Sequence, residues 1–190
     1  LEIMLQAAKR ANITIVSLPM VNQWLQNRCE LGEKTPRRRG IPLLKEITTR
    51  NIPVCLASDN IRDQFYGYGD LDMLEVFRLS VFIAHLDRPS LGDWPKAVTT
   101  TPAQAMGIGE THGLLNEGGP ANFVIFRGRQ YSELFSRSQH DRLVVRNGKW
   151  IATTVPNYDQ LNPILDHHAL SKTQPLIGSN DSKENRKTIV

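Results

Sequence analysis

A carboxylate stands at the end of a short apolar segment, at a position where it could do chemistry. Residues 53–57 read PVCLA, and Asp59 and Asn60 follow almost at once. Three aromatic residues come next in the same polar stretch: Phe65, Tyr66 and Tyr68. A carboxylate in this setting can bind a metal ion or accept a proton, and aromatic side chains can line a site for a flat ring. Taken alone, Asp59 fits better the ordinary role of capping a turn, and it is the crowded aromatic and acidic surroundings that favour a functional role.

Helices and apolar strands alternate in the first half of the chain. Helices are predicted over 1–11, 42–50 and 70–86, and buried strands over 13–18 and 53–57. Asp70 and Asp72 suit the positive N-terminal end of the last of these helices. This order is typical of an α/β protein whose parallel sheet is covered on both faces. Residues 19–40 are predicted to be a long polar connection, and both this segment and residues 59–69 leave the carboxyl ends of strands. In parallel sheets that edge carries the chemistry.

The second half has a different pattern. Residues 94–106 predict short helices, with Thr101 as a cap and Pro102 in the first turn. Strands are predicted over 123–126, 142–146 and 149–153, and Asn147-Gly148 between the last two is a strong hairpin signal. From residue 155 to residue 190 the chain is polar and aperiodic, and we expect it to be disordered.

Composition narrows the class of protein. The 190 residues carry a formal net charge of +4, but the basic residues are scattered apart from Arg37–Arg39, and no nucleic-acid-binding motif accompanies them. We therefore expect no nucleic-acid partner. No apolar run approaches the roughly 20 residues that span a bilayer, so no membrane partner is expected either. Two cysteines are too few for a disulfide scaffold, and a signal-peptide pattern is lacking, so a cytoplasmic location is expected.

Four segments resemble one enzyme family in their order along the chain. They are SLPMVNQWLQNR (17–28), RRRG (37–40), LASDNIRDQFYGYGDLDMLEV (56–76) and GLLNEGGPANFVIF (113–126). Together they resemble the cytosine deaminase branch of the metal-dependent amidohydrolases over residues 1–153. The resemblance implies the C-terminal part of a (β/α)8 TIM-type barrel plus strands of a small composite β-sandwich. Residues 1–112 would hold about the seventh and eighth barrel strands, and residues 113–154 the return strands of the sandwich.

The resemblance also implies an activity and a site. A full-length protein of this kind would be a metal-dependent hydrolase that removes an exocyclic amine from a pyrimidine-like ring, a small heterocyclic substrate. Asp59 would be a ligand of one divalent ion, zinc or iron, and the proton acceptor. Asn60 and Phe65 would contact the ring, although packing under the loop is an equal alternative for Phe65. Asn60 matches a position that is a second aspartate in bacterial cytosine deaminase.

The histidines depart from the family pattern, which needs an early His-x-His pair and two more histidines. The five histidines here lie outside such a setting: His85, His112, His140, His167 and His168. Leu1 also begins a helix without a cap, so we interpret the sequence as the later part of a longer protein, with the other metal ligands on the missing N-terminal part. The fragment alone is then expected to be inactive.

Several alternatives stay open. The whole protein could act on an N-substituted aminotriazine or another heterocycle, or the chain could be a non-catalytic truncated remnant. A homo-oligomer is also left open. Among the other polar residues, we expect Asn22, Gln26 and Arg28 to hold their loop together, and we expect Asn122 to serve a turn.

Overall fold

A computed structural model describes residues 1–28, 32, 34–152, 154 and 156–163. The chain divides into two compact units, Leu1–Thr153 and Thr154–Val190. In the described part of the second unit, Tyr158–Leu161 forms one 3-10 turn, and the Asn157 Oδ1 atom accepts the Asp159 N–H at 3.2 Å. The predicted disorder of 155–190, and with it the pair His167-His168, falls mostly outside the described residues.

In the first half of the larger unit, the described residues form four helices and two strands. They are α1 (Glu2–Arg10), β1 (Ile15–Ser17), α2 (Pro19–Leu25), α3 (Leu44–Thr48), β2 (Val54–Leu56) and α4 (Met73–Ala84). β1 and β2 pair in parallel, with Ile15 opposite Val54 and Ser17 opposite Leu56. The predicted α/β alternation and the parallel strand pair are confirmed.

The prediction of a polar connection over 19–40 is wrong at its beginning, where α2 forms. Pro19 starts this helix, a position where the missing N–H costs nothing. Pro19, Met20 and Val21 are all buried, so tertiary packing stabilises a helix too short to form alone. The described residues between α2 and α3 carry no further helix or strand.

The second half adds a 3-10 helix and a three-stranded sheet. The elements are the 3-10 helix Trp94–Val98, then α5 (Thr100–Ala105), β3 (Phe123–Ile125), α6 (Tyr131–Ser136), β4 (Leu143–Arg146) and β5 (Lys149–Ile151). The strands pair antiparallel in the order β3-β4-β5. Two details differ from expectation. The cap position of α5 is Thr99 rather than Thr101, and α6 interrupts a segment that was predicted to be all β.

The predicted hairpin between β4 and β5 is confirmed. Asn147 and Gly148 have φ values of 50° and 72°, the left-handed pair that a tight two-residue turn requires. Asn122 sits beside this turn, and its Oδ1 atom accepts the Asn147 N–H at 2.7 Å. Asn122 therefore serves a structural role, as expected.

One hydrophobic core joins the helices to the parallel strands. All three residues of β2 are buried, whereas Val16 of β1 is exposed. Burial of the Cys55 side chain raises the pKa of its thiol, in keeping with a packed, reduced cysteine. The same core cluster includes side chains from α2, α3, α4 and α6: Val21, Leu44, Ile47, Val76, Phe77, Val81 and Phe135. Within the described ranges, no helix is both long and apolar enough to cross a bilayer.

Candidate functional site

Parallel pairing brings the segments that follow β1 and β2 to the same edge of the sheet. We call residues 57–72, between β2 and α4, the rim loop. Its start is fixed to the neighbouring strand, since the Ala57 N–H donates to the Ser17 carbonyl oxygen at 3.0 Å. The helix α2, which follows β1, presents Trp24 to this loop. The indole ring lies 5.6 Å from the ring of Tyr66 and 6.3 Å from that of Tyr68, edge to face in both cases.

Asp59 is exposed on the rim loop just after β2. Its backbone has φ of 66°, a left-handed conformation that aspartate tolerates better than most residues. No hydrogen bond to the Asp59 carboxylate is found among the described residues. The side chain is thus available to solvent, a metal ion or a ligand, and it does not cap the turn.

Asp63, rather than Asp59, organises the rim loop. Its Oδ1 atom accepts the backbone N–H groups of Phe65 and Tyr66 at 2.9 and 2.8 Å, and its Oδ2 atom accepts the Asn60 side-chain amide. These donors, the Asn60 amide first, lower the pKa of the Asp63 carboxyl because they stabilise its charged form. Asn60 therefore already has one partner, which leaves its Oδ1 atom and its second amide hydrogen for a ligand.

The three aromatic residues of the rim loop have different surroundings. Phe65 is 60% exposed and does not pack under the loop, whereas Tyr66 is 7% exposed and belongs to the core. Burial raises the pKa of the Tyr66 phenol. Gly69 lies against this ring with φ of 88°, and a Cβ atom there would come within 3.0 Å of Tyr66 Cε1. Tyr68 is 55% exposed but also contacts Trp24 and Tyr66, so Phe65 is the most exposed of the three rings and offers a stacking surface to a ligand.

A second set of hydrogen bonds holds the segment 34–40 against the end of α2. The Asn27 Oδ1 atom accepts the N–H groups of Arg37 and Arg38 at 2.9 and 3.3 Å. The Gln26 side chain accepts the Gly40 N–H, and the guanidinium of Arg28 stacks over Trp24 with its Cζ atom 3.7 Å from the ring centroid. Gln26 therefore holds the loop, as expected from the sequence, whereas the Arg28 side chain contacts α2, and no side-chain hydrogen bond of Asn22 is found among the described residues.

The C-terminal end of the rim loop pairs with Arg142, the residue just before β4. Asp72 caps α4, as its Oδ1 atom accepts the Leu74 N–H at 2.9 Å. The same carboxylate receives two hydrogen bonds from Arg142, at 2.7 and 2.5 Å. Burial is the largest single influence and acts to raise the pKa of Asp72, but the hydrogen bonds and charge of Arg142 and the backbone N–H groups of Leu74 and Glu75 together outweigh it, so the pKa is lowered. The sequence indicates that Asp72 is suited to the start of the helix, but nothing in the sequence indicates Arg142 as its partner.

The described residues do not by themselves make a metal site. Among them, no group of three or more His, Cys, Asp and Glu side chains could hold an ion. Asp59 offers the right chemistry, an exposed and uncommitted carboxylate, but it is a single donor. The structure places Asp59, Asn60 and Phe65 on one loop, and no hydrogen bond joins their side chains to one another in the part of the chain that it describes.

Two known proteins match the chain in sequence. The pterin deaminase of Rhizobium rhizogenes is 47% identical over 156 residues, which are 82% of this chain and 35% of that protein. The imidazolonepropionase of Verminephrobacter eiseniae is 26% identical over 117 residues, 60% of this chain and 24% of that protein. The chain thus spans about a third or less of the length of these relatives.

Solved structures show the same fold. The 5-methylcytosine deaminase of Klebsiella pneumoniae liganded with phosphonocytosine matches with a TM-score of 0.67 and 28% identity, over 82% of this chain and 37% of that one. An adenosine deaminase from Xanthomonas campestris with bound zinc matches with a TM-score of 0.62 over 90% of this chain and 39% of that one; at 15% identity it supports the fold alone. The α/β part is therefore part of a TIM-barrel-type fold. Residues 2–152 match the amidohydrolase family, and the chain belongs to it.

Proposed function

We propose that this chain is part of a metal-dependent deaminase that removes an exocyclic amine from an aminated pyrimidine ring, either free or fused as in a pterin. The observation that carries the proposal is the 47% identity to a pterin deaminase across a range that includes the rim loop. A pterin contains an aminated pyrimidine ring, so this relative agrees with the pyrimidine-like substrate predicted from the sequence. An N-substituted aminotriazine is the alternative substrate.

Within this proposal, Asp59 is the proton acceptor and contributes one carboxylate ligand. When bound, a divalent ion such as zinc or iron supplies a water molecule whose pKa is brought towards neutrality. An exposed carboxylate without a competing hydrogen bond can take a proton from a group placed beside it. We place the remaining ligands outside the described residues, because one carboxylate does not define a coordination sphere.

Asn60 and Phe65 are proposed to bind the ring. Phe65 offers an exposed aromatic face, and such a face stacks on a planar heterocycle. Asn60 would present its Oδ1 atom to a donor on the ring edge while its amide stays on Asp63. Replacing Asn60 by Asp places two carboxylates together, so Asn60→Asp should change the order of kcat/KM among substrates.

The domain assignment and the location extend the same proposal. β1 and β2 would be the seventh and eighth strands of the barrel, and residues 113–154 the return strands of a composite β-sandwich. Two features support this: the parallel register of β1 with β2, and the separate antiparallel sheet that follows. We also propose a cytoplasmic enzyme without nucleic-acid or membrane partners. A homo-oligomer is left open.

Ammonia release from a panel of rings tests the proposal. The metal-loaded protein that contains this chain is assayed with pterin, cytosine, 5-methylcytosine and an N-alkylated aminotriazine. Asp59→Asn should reduce turnover by about 10²- to 10⁴-fold, because the proton acceptor is lost while the left-handed backbone is tolerated. Asp87→Asn, a change of an exposed carboxylate beyond the C-terminal end of α4, is the matched control and should leave turnover unchanged. Full activity in Asp59→Asn would remove Asp59 from the reaction.

A further inference from the structure

Arg142 lies just before β4, yet its strongest partner is at the end of the rim loop. Its two terminal nitrogens donate to the two carboxylate oxygens of Asp72 at 2.7 and 2.5 Å, a bidentate arrangement. Both side chains are more than four-fifths buried, with exposures of 17% and 18%. Of the five ion pairs found among the described residues, this is the most shielded from solvent, where a pair is screened least.

Arg142 is itself held in place from behind. Its Nε atom donates to the Gln139 carbonyl oxygen at 2.7 Å, and its guanidinium lies 5.5 Å from the centroid of the Phe126 ring. Gln139 is 2% exposed, and its amide donates to the carbonyl oxygens of Glu133 and Leu134, both at 3.1 Å. The guanidinium therefore has a fixed position before it meets Asp72, and little side-chain entropy is lost on pairing.

Asp72 connects the fixed guanidinium of Arg142 to the rim loop. Its carboxylate also caps α4, so the first turn of the helix and the last residue of the loop share one anchor. The other end of the loop is anchored at Ala57, which bonds to Ser17 of β1. Asp59, Asn60 and Phe65 lie between these two anchors, near the edge where the strands end.

We propose that Arg142 is a positioning residue: through Asp72 it holds the end of the rim loop and so sets where Asp59 and Phe65 stand relative to a bound ring. Its part in catalysis rests on the proposed deaminase function. The small antiparallel sheet is then a support for the site as well as a folding unit. Catalytic groups lose rate steeply when a supporting contact lets them move by about 1 Å.

Amide hydrogen exchange of the 190-residue chain tests whether Arg142 holds the rim loop. This measurement requires no enzyme activity. Arg142→Gln and Asp72→Asn should each speed amide exchange in residues 57–72 by about tenfold, and the double variant should show no more than either single change. Asp72→Asn is informative because asparagine caps a helix as well as aspartate does, so only the ion pair is lost. Exchange in β1 and β2 should stay as in the wild type.

Two further variants complete the design. Arg129→Gln breaks a pair with Glu133 whose arginine is 86% exposed, and it should leave the rim loop unchanged. Arg142→Lys keeps the charge but loses the bidentate geometry, so it should fall between wild type and Arg142→Gln, and it serves if the Gln variant fails to fold. Unchanged exchange in residues 57–72, or an equal rise in every segment, would overturn the proposal.

The effect of Arg142 on catalysis is measured by steady-state kinetics of the metal-loaded protein. Arg142→Gln should lower kcat about tenfold with KM within about twofold, and Arg142→Lys should restore part of kcat. Faster amide exchange in the rim loop with an unchanged kcat would show that Arg142 does not position Asp59 or Phe65 for catalysis. If the wild type releases no ammonia from any ring, the proposed function fails, and the exchange data still decide whether Arg142 holds the loop.

Discussion

The indole of Trp24 meets the ring of Tyr66 edge to face, with centroids 5.6 Å apart, although α3 and β2 lie between them in the chain. Tyr68 completes a three-ring cluster, 5.9 Å from Tyr66. The cluster ties the segment after β1 to the segment after β2. The edge of the parallel sheet where Asp59 stands is thus a packed surface, not two independent loops.

Trp24→Leu should lower the free energy of unfolding by about 2 kcal/mol, because two edge-to-face contacts and part of the packing on Tyr66 are lost. Urea unfolding followed by circular dichroism measures the change. Trp150→Leu is the matched control, since Trp150 is 64% exposed on β5 and should cost little. Equal losses in the two variants would mean that the ring cluster does not stabilise the fold.

Gly69→Ala should destabilise the chain by about 1–2 kcal/mol, since alanine is strained at the φ of 88° and its Cβ would press on Tyr66. Gly67→Ala is a control two residues away, because no atom lies within 4 Å of the added Cβ and its φ is not left-handed. Thermal unfolding of the two variants gives the comparison. A stable Gly69→Ala protein would show that the loop relaxes at no cost.

Acid should loosen the rim loop through Asp63. The pKa of Asp63 is lowered in the folded chain, so its stabilising effect is present above the unfolded pKa of about 3.9 and is lost as the pH falls through the folded pKa. We expect a change in Trp24 fluorescence below about pH 4, measured in a chain whose Trp94 and Trp150 are replaced by Phe. Asp63→Asn keeps an acceptor oxygen and removes the titration, so the same acid step in that variant would contradict the assignment.

The 190-residue chain should not retain a metal ion. A single carboxylate leaves an ion mostly hydrated, so after dialysis we expect less than about one zinc or iron ion per ten chains, and no ammonia release. Elemental analysis by mass spectrometry gives the metal content. Asp59→Asn should show the same low content as the wild type. Stoichiometric metal in the wild-type chain would mean that the 190-residue chain holds a metal site by itself.

Local patterns in the sequence were enough to predict much of the architecture. The apolar runs predicted β1 and β2 and their parallel pairing, Asn147-Gly148 predicted the hairpin, and the carboxylate of Asp72 suited the start of α4. Each of these depends on neighbours a few residues away, through periodicity, turn geometry or capping. The position of Asp59 after a buried strand is of the same kind, and its exposure on the rim agrees with that prediction.

Tertiary packing decided the rest. The short helices α2 and α6 form because they bury Val21 and Phe135 in the core, and helices of this length are not stable by their own propensity. Asp63 is an exception, because its partners Asn60, Phe65 and Tyr66 lie within three residues and a local turn signal could have indicated it. The partners Trp24 with Tyr66, and Arg142 with Asp72, are far apart in sequence, and side-chain type alone does not select one distant partner among many. Their pairing follows from how the helices and the two sheets pack, which is why only the folded chain shows what holds Asp59 in place.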